Sequence, residues 1–150
     1  VATKTFLCKL VTPTAKLLDE PVTYASVPAW DGLFGVLPNR APIVAKLGLG
    51  ELKLDFPDKG GPHNGGSRSY LLEDGFVQMV ENRLTVLAGK AIPVETLNLA
   101  EAQAELSAAI AQKPSGETPI ARQASSEKIQ KAQALAREKV RLARTADKGI

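Results

Sequence analysis

Apolar and polar residues alternate with a period of two along most of the chain up to about residue 93. Leu52, Leu54 and Phe56 alternate with Glu51, Lys53 and Asp55, the pattern of a strand with one buried and one solvated face. Leu84, Val86 and Ala88 repeat it within Asn82–Ala88, and Phe6, Cys8 and Leu10 share one face near the start. Gly75–Val80 is apolar on both faces and reads as an inner strand. Asp74-Gly75 and Glu81-Asn82 have the composition of hairpin turns. Short strands punctuated by Gly and Pro predict an all-β sandwich or barrel.

Past Pro93 the period becomes helical. Leu99, Ala102, Leu106, Ala109 and Ile110 fall on one face of a helix predicted over 97–112. Lys113–Pro119, with two prolines and a glycine, interrupts it. A second helix is predicted from Ser125 to Thr145, capped by Ser125 or Ser126, with Ile129, Ala132, Ala136, Val140 and Ala143 as its apolar stripe. A short connector makes the pair an antiparallel hairpin. Because its facing stripes are mostly alanine, little apolar area offsets the entropy of ordering it, so it should be able to leave the β-domain and dock elsewhere. The expected organisation is a β-domain over 1–93 and a helical hairpin over 94–150.

Val27–Pro42 stands apart: Val-Pro-Ala-Trp-Asp-Gly-Leu-Phe-Gly-Val-Leu-Pro-Asn-Arg-Ala-Pro. Glycine serves positive φ or close approach, and proline fixes φ without a donor, so this density of both predicts one rigid loop held out for recognition. Phe34 is expected in the core, while Trp30 is left open between core and contact.

Charge divides the chain unevenly. From Arg122 onward stand Arg122, Lys128, Lys131, Arg137, Lys139, Arg141, Arg144 and Lys148 against Glu127, Glu138 and Asp147, a net +5, whereas the rest is −2. Arg137, Arg141, Arg144 and Lys148 form a basic stripe on the second helix, expected opposite its apolar one and suited to an acidic partner. Without aromatic residues after Phe76, this tail is poorly equipped for single-stranded nucleic acid.

Catalytic chemistry is largely excluded. The single Cys8 forbids an internal disulfide and reads as a packed core thiol, and the single His63 lies at the tip of a glycine-rich hairpin, Pro57–Ser67, expected to be flexible. With the one Cys in the core and the one His at a loop tip, neither a zinc site nor a Cys-His nucleophile pair is expected. There is no phosphate loop or nucleophile elbow, and Asp19-Glu20 and Glu73-Asp74 are expected at turns. No run of about 18 apolar residues or basic-then-apolar leader is present, so neither a transmembrane helix nor a secretory signal is expected.

Gly32-Leu33-Phe34-Gly35-Val36-Leu37-Pro38-Asn39-Arg40-Ala41-Pro42 is similar to the Gly-x-hydrophobic-Gly-Ile/Val-Leu-Pro-x-His-Ala-Pro pattern of the epsilon subunit of F-type ATP synthase, called delta in mitochondria. Val11-Thr12-Pro13, Gly75-Phe76-Val77 and Asn82–Ala88 match further motifs in that family's order, so the resemblance spans the chain. It implies a β-sandwich followed by a two-helix hairpin. It also implies a non-catalytic central-stalk rotor subunit of a proton-translocating synthase, without cofactor or metal. The sandwich would sit between the gamma subunit and the c-subunit ring, with Asp31, Leu33 and Arg40 meeting the ring. The hairpin would reach acidic segments of the catalytic beta subunits through Arg137, Arg141, Arg144 and Lys148 and inhibit hydrolysis. The implied location is the cytoplasmic face of the membrane, or its organelle equivalent, reached only through the complex and without nucleic acid.

Two departures stand out. Arg40 replaces the family's usual His and carries a permanent charge. Leu97-Asn98-Leu99-Ala100-Glu101-Ala102 replaces the Ile/Leu-Asp-x-x-Arg-Ala motif through which some bacterial members bind ATP. With Asn98 for Asp and Glu101 for Arg, weak or absent ATP binding is expected. The alternative reading is a stand-alone β-sandwich binding module whose basic helical tail takes nucleic acid.

Overall fold

Alternation in the first part of the chain becomes eight strands, and the buried phase of nearly every one points into a single core. The computed structural model describes residues 4–57 and 65–148, with side chains through Thr145. It divides into two compact units, Val1–Pro93 and Val94–Ile150.

In the first unit the strands are β1 (Phe6–Val11), β2 (Lys16–Val22), β3 (Tyr24–Ala29), β4 (Gly32–Val36), β5 (Ile43–Lys46), β6 (Gly50–Asp55), β7 (Ser67–Val80) and β8 (Arg83–Pro93). Hydrogen bonds join them in the order β2-β1-β8-β7-β6-β3-β4, with β5 also on β7. The long β7 serves two layers: its first half pairs with β6, and Phe76–Met79 pair with β5. β8 follows β7 along both halves and takes β1 in parallel on its other edge. The result is a sandwich whose layers enclose Cys8 and Leu10 from β1, Val27 from β3, Leu52 and Leu54 from β6, Met79 from β7 and Val86 from β8.

Glu81-Asn82 forms the β7–β8 turn, both residues at positive φ (50° and 62°), the type I′ geometry that matches strand twist. Asp74-Gly75 is not the expected turn. It interrupts the pleat within β7, at φ 57° and 122°, where the layers part, and a Cβ on Gly75 would overlap the Leu87 carbonyl oxygen. The carboxylate pairs expected at turns also lie within strands, Asp19-Glu20 in β2 and Glu73-Asp74 in β7. Their polar character marks solvated strand positions, which periodicity alone did not separate from turns. The ends of the Pro57–Ser67 hairpin close through Gly65 N–H to the Pro57 carbonyl (2.8 Å), while its tip with His63 lies outside the described residues.

In the second unit a 3-10 turn, Val94–Thr96, leads to α1 (Leu99–Ala111) and α2 (Pro119–Lys148). Asn98 caps α1, its side-chain oxygen accepting from the Ala100 and Glu101 amides (2.9 and 3.2 Å). α2 begins six residues before the predicted start. Pro119 occupies its first turn, where proline's fixed φ and missing donor cost nothing, and Thr118 Oγ1 accepts from Ala121 N–H (3.1 Å). Ser125 is no cap; its hydroxyl accepts from the Ser115 amide instead (3.1 Å). The helices run antiparallel, joined by Lys139–Glu105 (2.9 Å) and by Gln133 Nε2 donating to the Ala109 carbonyl (3.2 Å). Ala102, Ala109, Ala136, Val140 and Ala143 are buried, whereas Ile110 and Ala132, expected on the stripes, are exposed. Leu142, off the predicted stripe, is fully buried, so the buried arc of α2 is wider than a single row.

Candidate functional site

Val27–Pro42 is not one loop but a hairpin followed by a turn. β3 and β4 pair from Ala25↔Val36 to Ala29↔Gly32, with Trp30-Asp31 as the two-residue connection and Gly32 at φ 132°. Val27 and Val36 point into the core and Phe34 packs against it, partly buried. In the opposite phase Leu33 is 70% exposed, and Leu37 and the tip residue Trp30 are also exposed. Trp30 is therefore no core plug. Gly35 lets the Tyr24 ring lie close over the strand, since a Cβ there would stand 2.7 Å from the Tyr24 hydroxyl.

The hairpin is tied at both ends. At the tip, Trp30 N–H donates to the Lys46 carbonyl on β5 (2.9 Å). Beyond β4, Arg40 N–H donates to the Leu37 carbonyl (3.3 Å) across Pro38-Asn39. Proline second and a positive φ third (Asn39, 63°) are the marks of a type II turn. Arg40 is half-buried: its guanidinium carbon lies 5.8 Å from the Phe34 ring centroid and Nη1 donates to the Ala41 carbonyl (3.1 Å). Of the residues singled out from the sequence, Asp31 and Leu33 thus share the hairpin tip. Arg40 follows the other end of β4, about 17 Å of strand away.

A second surface escaped the sequence reading. Register puts Val11 of β1 beside Leu87 of β8, and Leu87 beside Phe76 of β7. All three lie in the phase opposite to the buried Leu10, Val86 and Val77, so they form an apolar row on the outer face of their layer. Phe76 is 57% and Leu87 51% exposed. The inner-strand reading of Gly75–Val80 was right for Val77 and Met79 but wrong for Phe76. The available signal was a pair of large apolar residues out of phase with the buried Val77, Met79, Leu84 and Val86 of the same strands.

On the second unit, Arg137, Arg141 and Arg144 line a groove of about 410 Å³ between α1 and α2, with Leu106, Val140 and Thr145. The arginines flank the buried stripe instead of opposing it. At 3.6 residues per turn they stand about 80–140° from Ala136, with Val140 between. Arg141 pairs with Glu138 (2.9 Å). Lys148 ends α2, and its side chain lies outside the described residues.

Cys8 is fully buried, and burial, with smaller contributions from Glu20 and Asp19, pushes its thiol up to about 12. Such a thiol is inert at neutral pH. Asn98, at the degenerate nucleotide motif, is engaged as the cap of α1, and Glu101 lies exposed in its first turn. Among the described residues no cluster of His, Cys, Asp and Glu is arranged to hold a metal ion, and no helix is long and apolar enough to cross a membrane.

Residues 5–94 match the family described as the ATP synthase, Delta/Epsilon chain, beta-sandwich domain. The ATP synthase epsilon chain of Rhodopirellula baltica is 35% identical over 103 residues, covering 69% of this chain and 75% of that one. The epsilon chain of Pelotomaculum thermopropionicum is 32% identical over 101 residues, covering 67% and 70%. A chain of the Euglena gracilis mitochondrial ATP synthase (OSCP/F1/c-ring) superposes with a TM-score of 0.70 at 19% identity, covering 97% of this chain and 82% of that one, a likeness of fold. None of these relatives supports the nucleic-acid reading. The sandwich with its Gly32–Pro42 motif, the helical pair that follows it in the chain and the relatives' names agree, and the chain therefore belongs to the delta/epsilon family of ATP synthase subunits, non-catalytic members of that complex.

Proposed function

We propose that this protein is a central-stalk rotor subunit that couples a rotating c ring to the gamma shaft of a proton-translocating synthase. The observation that carries the reading is that one rigid sandwich offers two surfaces on opposite layers: the tethered β3–β4 hairpin with its turn, and the outward row Val11, Leu87 and Phe76. Torque can pass only through a body that does not yield between its contacts, and a single close-packed core supplies that stiffness. The hairpin, through Asp31, Leu33 and Arg40, meets the polar loops of the ring. The apolar row takes gamma. The complex holds the subunit at the cytoplasmic face of the membrane or its organelle equivalent.

The helical pair serves regulation. Arg137, Arg141, Arg144 and Lys148 suit acidic segments of the catalytic beta subunits, and docking there brakes ATP hydrolysis. The groove between the helices concentrates three of these charges over an apolar floor of Leu106 and Val140.

Co-purification from native membranes with gamma and the c ring tests the coupling role, and Leu33→Asp should release the subunit from the ring without unfolding it. Retention of that variant on the ring would overturn the assignment of the hairpin. Arg137→Glu with Arg144→Glu should raise hydrolysis by the assembled enzyme, and unchanged hydrolysis would refute the brake.

A further inference from the structure

One polar side chain links the hairpin's turn to a part of the chain far from it in sequence. Asn82 Oδ1 accepts a hydrogen bond from Asn39 N–H at 2.7 Å. Its Nδ2 donates to the Thr5 carbonyl at 2.9 Å, and its own carbonyl accepts from Leu7 N–H at 3.2 Å. The amide orientation is unambiguous, since the flipped form would set donor against donor and acceptor against acceptor.

The geometry points to Asn82 as the positioning residue of the turn Leu37–Arg40, acting on Arg40 through the Asn39 amide. That turn leaves the Asn39 N–H outside its own hydrogen bond, which runs from Arg40 N–H to the Leu37 carbonyl. Asn82 supplies the missing acceptor. The place is fixed by the β7–β8 turn, where Asn82 stands at φ 62°. Few residues meet all the requirements there: tolerance of positive φ, a short side chain, and a donor beside an acceptor. Aspartate has no donor, and glycine has neither group. The purpose assigned to Asn82 rests on the proposed ring contact of Arg40. Its action on the turn does not.

The test uses the full chain. Asn82→Gly keeps the positive φ while deleting both side-chain bonds, and Asn82→Asp keeps the acceptor for Asn39. In the free protein, amide exchange at Asn39 should quicken roughly fivefold in the glycine variant, the equivalent of one neutral hydrogen bond, and stay within about twofold of wild type in the aspartate variant. Binding to a purified gamma–c-ring complex should weaken by a similar factor in the glycine variant and recover in the aspartate one. Arg40→Ala added to Asn82→Gly should bring little further loss, because both changes remove one contact. Unaltered exchange at Asn39 in the glycine variant, or losses from the two changes that multiply, would overturn the inference. If Arg40→Ala alone leaves ring binding intact, the ring contact fails, while exchange at Asn39 still decides the positioning role.

Discussion

Phe76 and Leu87 allow the proposed gamma contact to be tested apart from the fold. Each is large and apolar, yet 57% and 51% of their surfaces meet solvent, beside one another in register on β7 and β8. Replacing both by threonine puts β-branched strand formers on the ladder and removes most of the apolar surface. Because only about half of each side chain is buried in the isolated subunit, its stability should fall by no more than roughly 1 kcal/mol per site. If this row takes gamma as proposed, burying the exposed half of each side chain contributes roughly 1.5–3 kcal/mol for the pair, scaled from the full burial of such side chains. Gamma binding should therefore weaken by about 10- to 200-fold. Leu84→Ala, at a fully buried position in the same strand as Leu87, is the control and should cost about 2–5 kcal/mol of stability. Thermal melting and titration with gamma read the two effects separately. Unchanged gamma affinity in the double variant would refute the assignment of this row. A melting loss comparable to that of Leu84→Ala would show that the two side chains belong to the core.

Further expectations concern the scaffold. Gly75→Ala forces a side chain into the Leu87 carbonyl at φ 122° and should cost about 2–4 kcal/mol, seen as a melting point lower by roughly 10–20 °C, whereas unchanged melting would remove the need for glycine there. Cys8 contributes a pH dependence: its folded thiol is raised to about 12 from 9.0, so the unfolded chain loses its proton first. The contribution is complete below pH 9.0 and declines as pH rises toward about 12, so alkaline melting curves of wild type and Cys8→Ala should converge, and parallel curves would contradict the burial argument. Asn98→Ala removes the cap of α1 and should cost about 1 kcal/mol, visible as faster exchange of the Ala100 and Glu101 amides; unaltered exchange would show that the cap is dispensable.

Period-two alternation in β6 and β8 and helical spacing in α1 were legible because side-chain direction follows from position within an element. The Gly32–Pro42 motif was legible as a constrained segment, since glycine and proline restrict the backbone locally. Pro119 was misread because proline ends one helix and begins another with equal propriety, and the deciding partner, Thr118, is equally common in loops. Asp74-Gly75 was misread for a similar reason: a positive φ suits both a turn and a break in a long strand.

What the sequence by itself determined is four of the eight strands, the helical pair, the buried face of β1, β6 and β8, and the family motif. Tertiary structure decided which distant residues meet. The outward row of Val11, Leu87 and Phe76 exists only through the register of three strands, and the hold of Asn82 on Asn39 spans 43 residues. Such contacts arise from ladder pairing and core packing, which depend on the whole set of apolar faces closing together. No local stretch of residues carries that information alone.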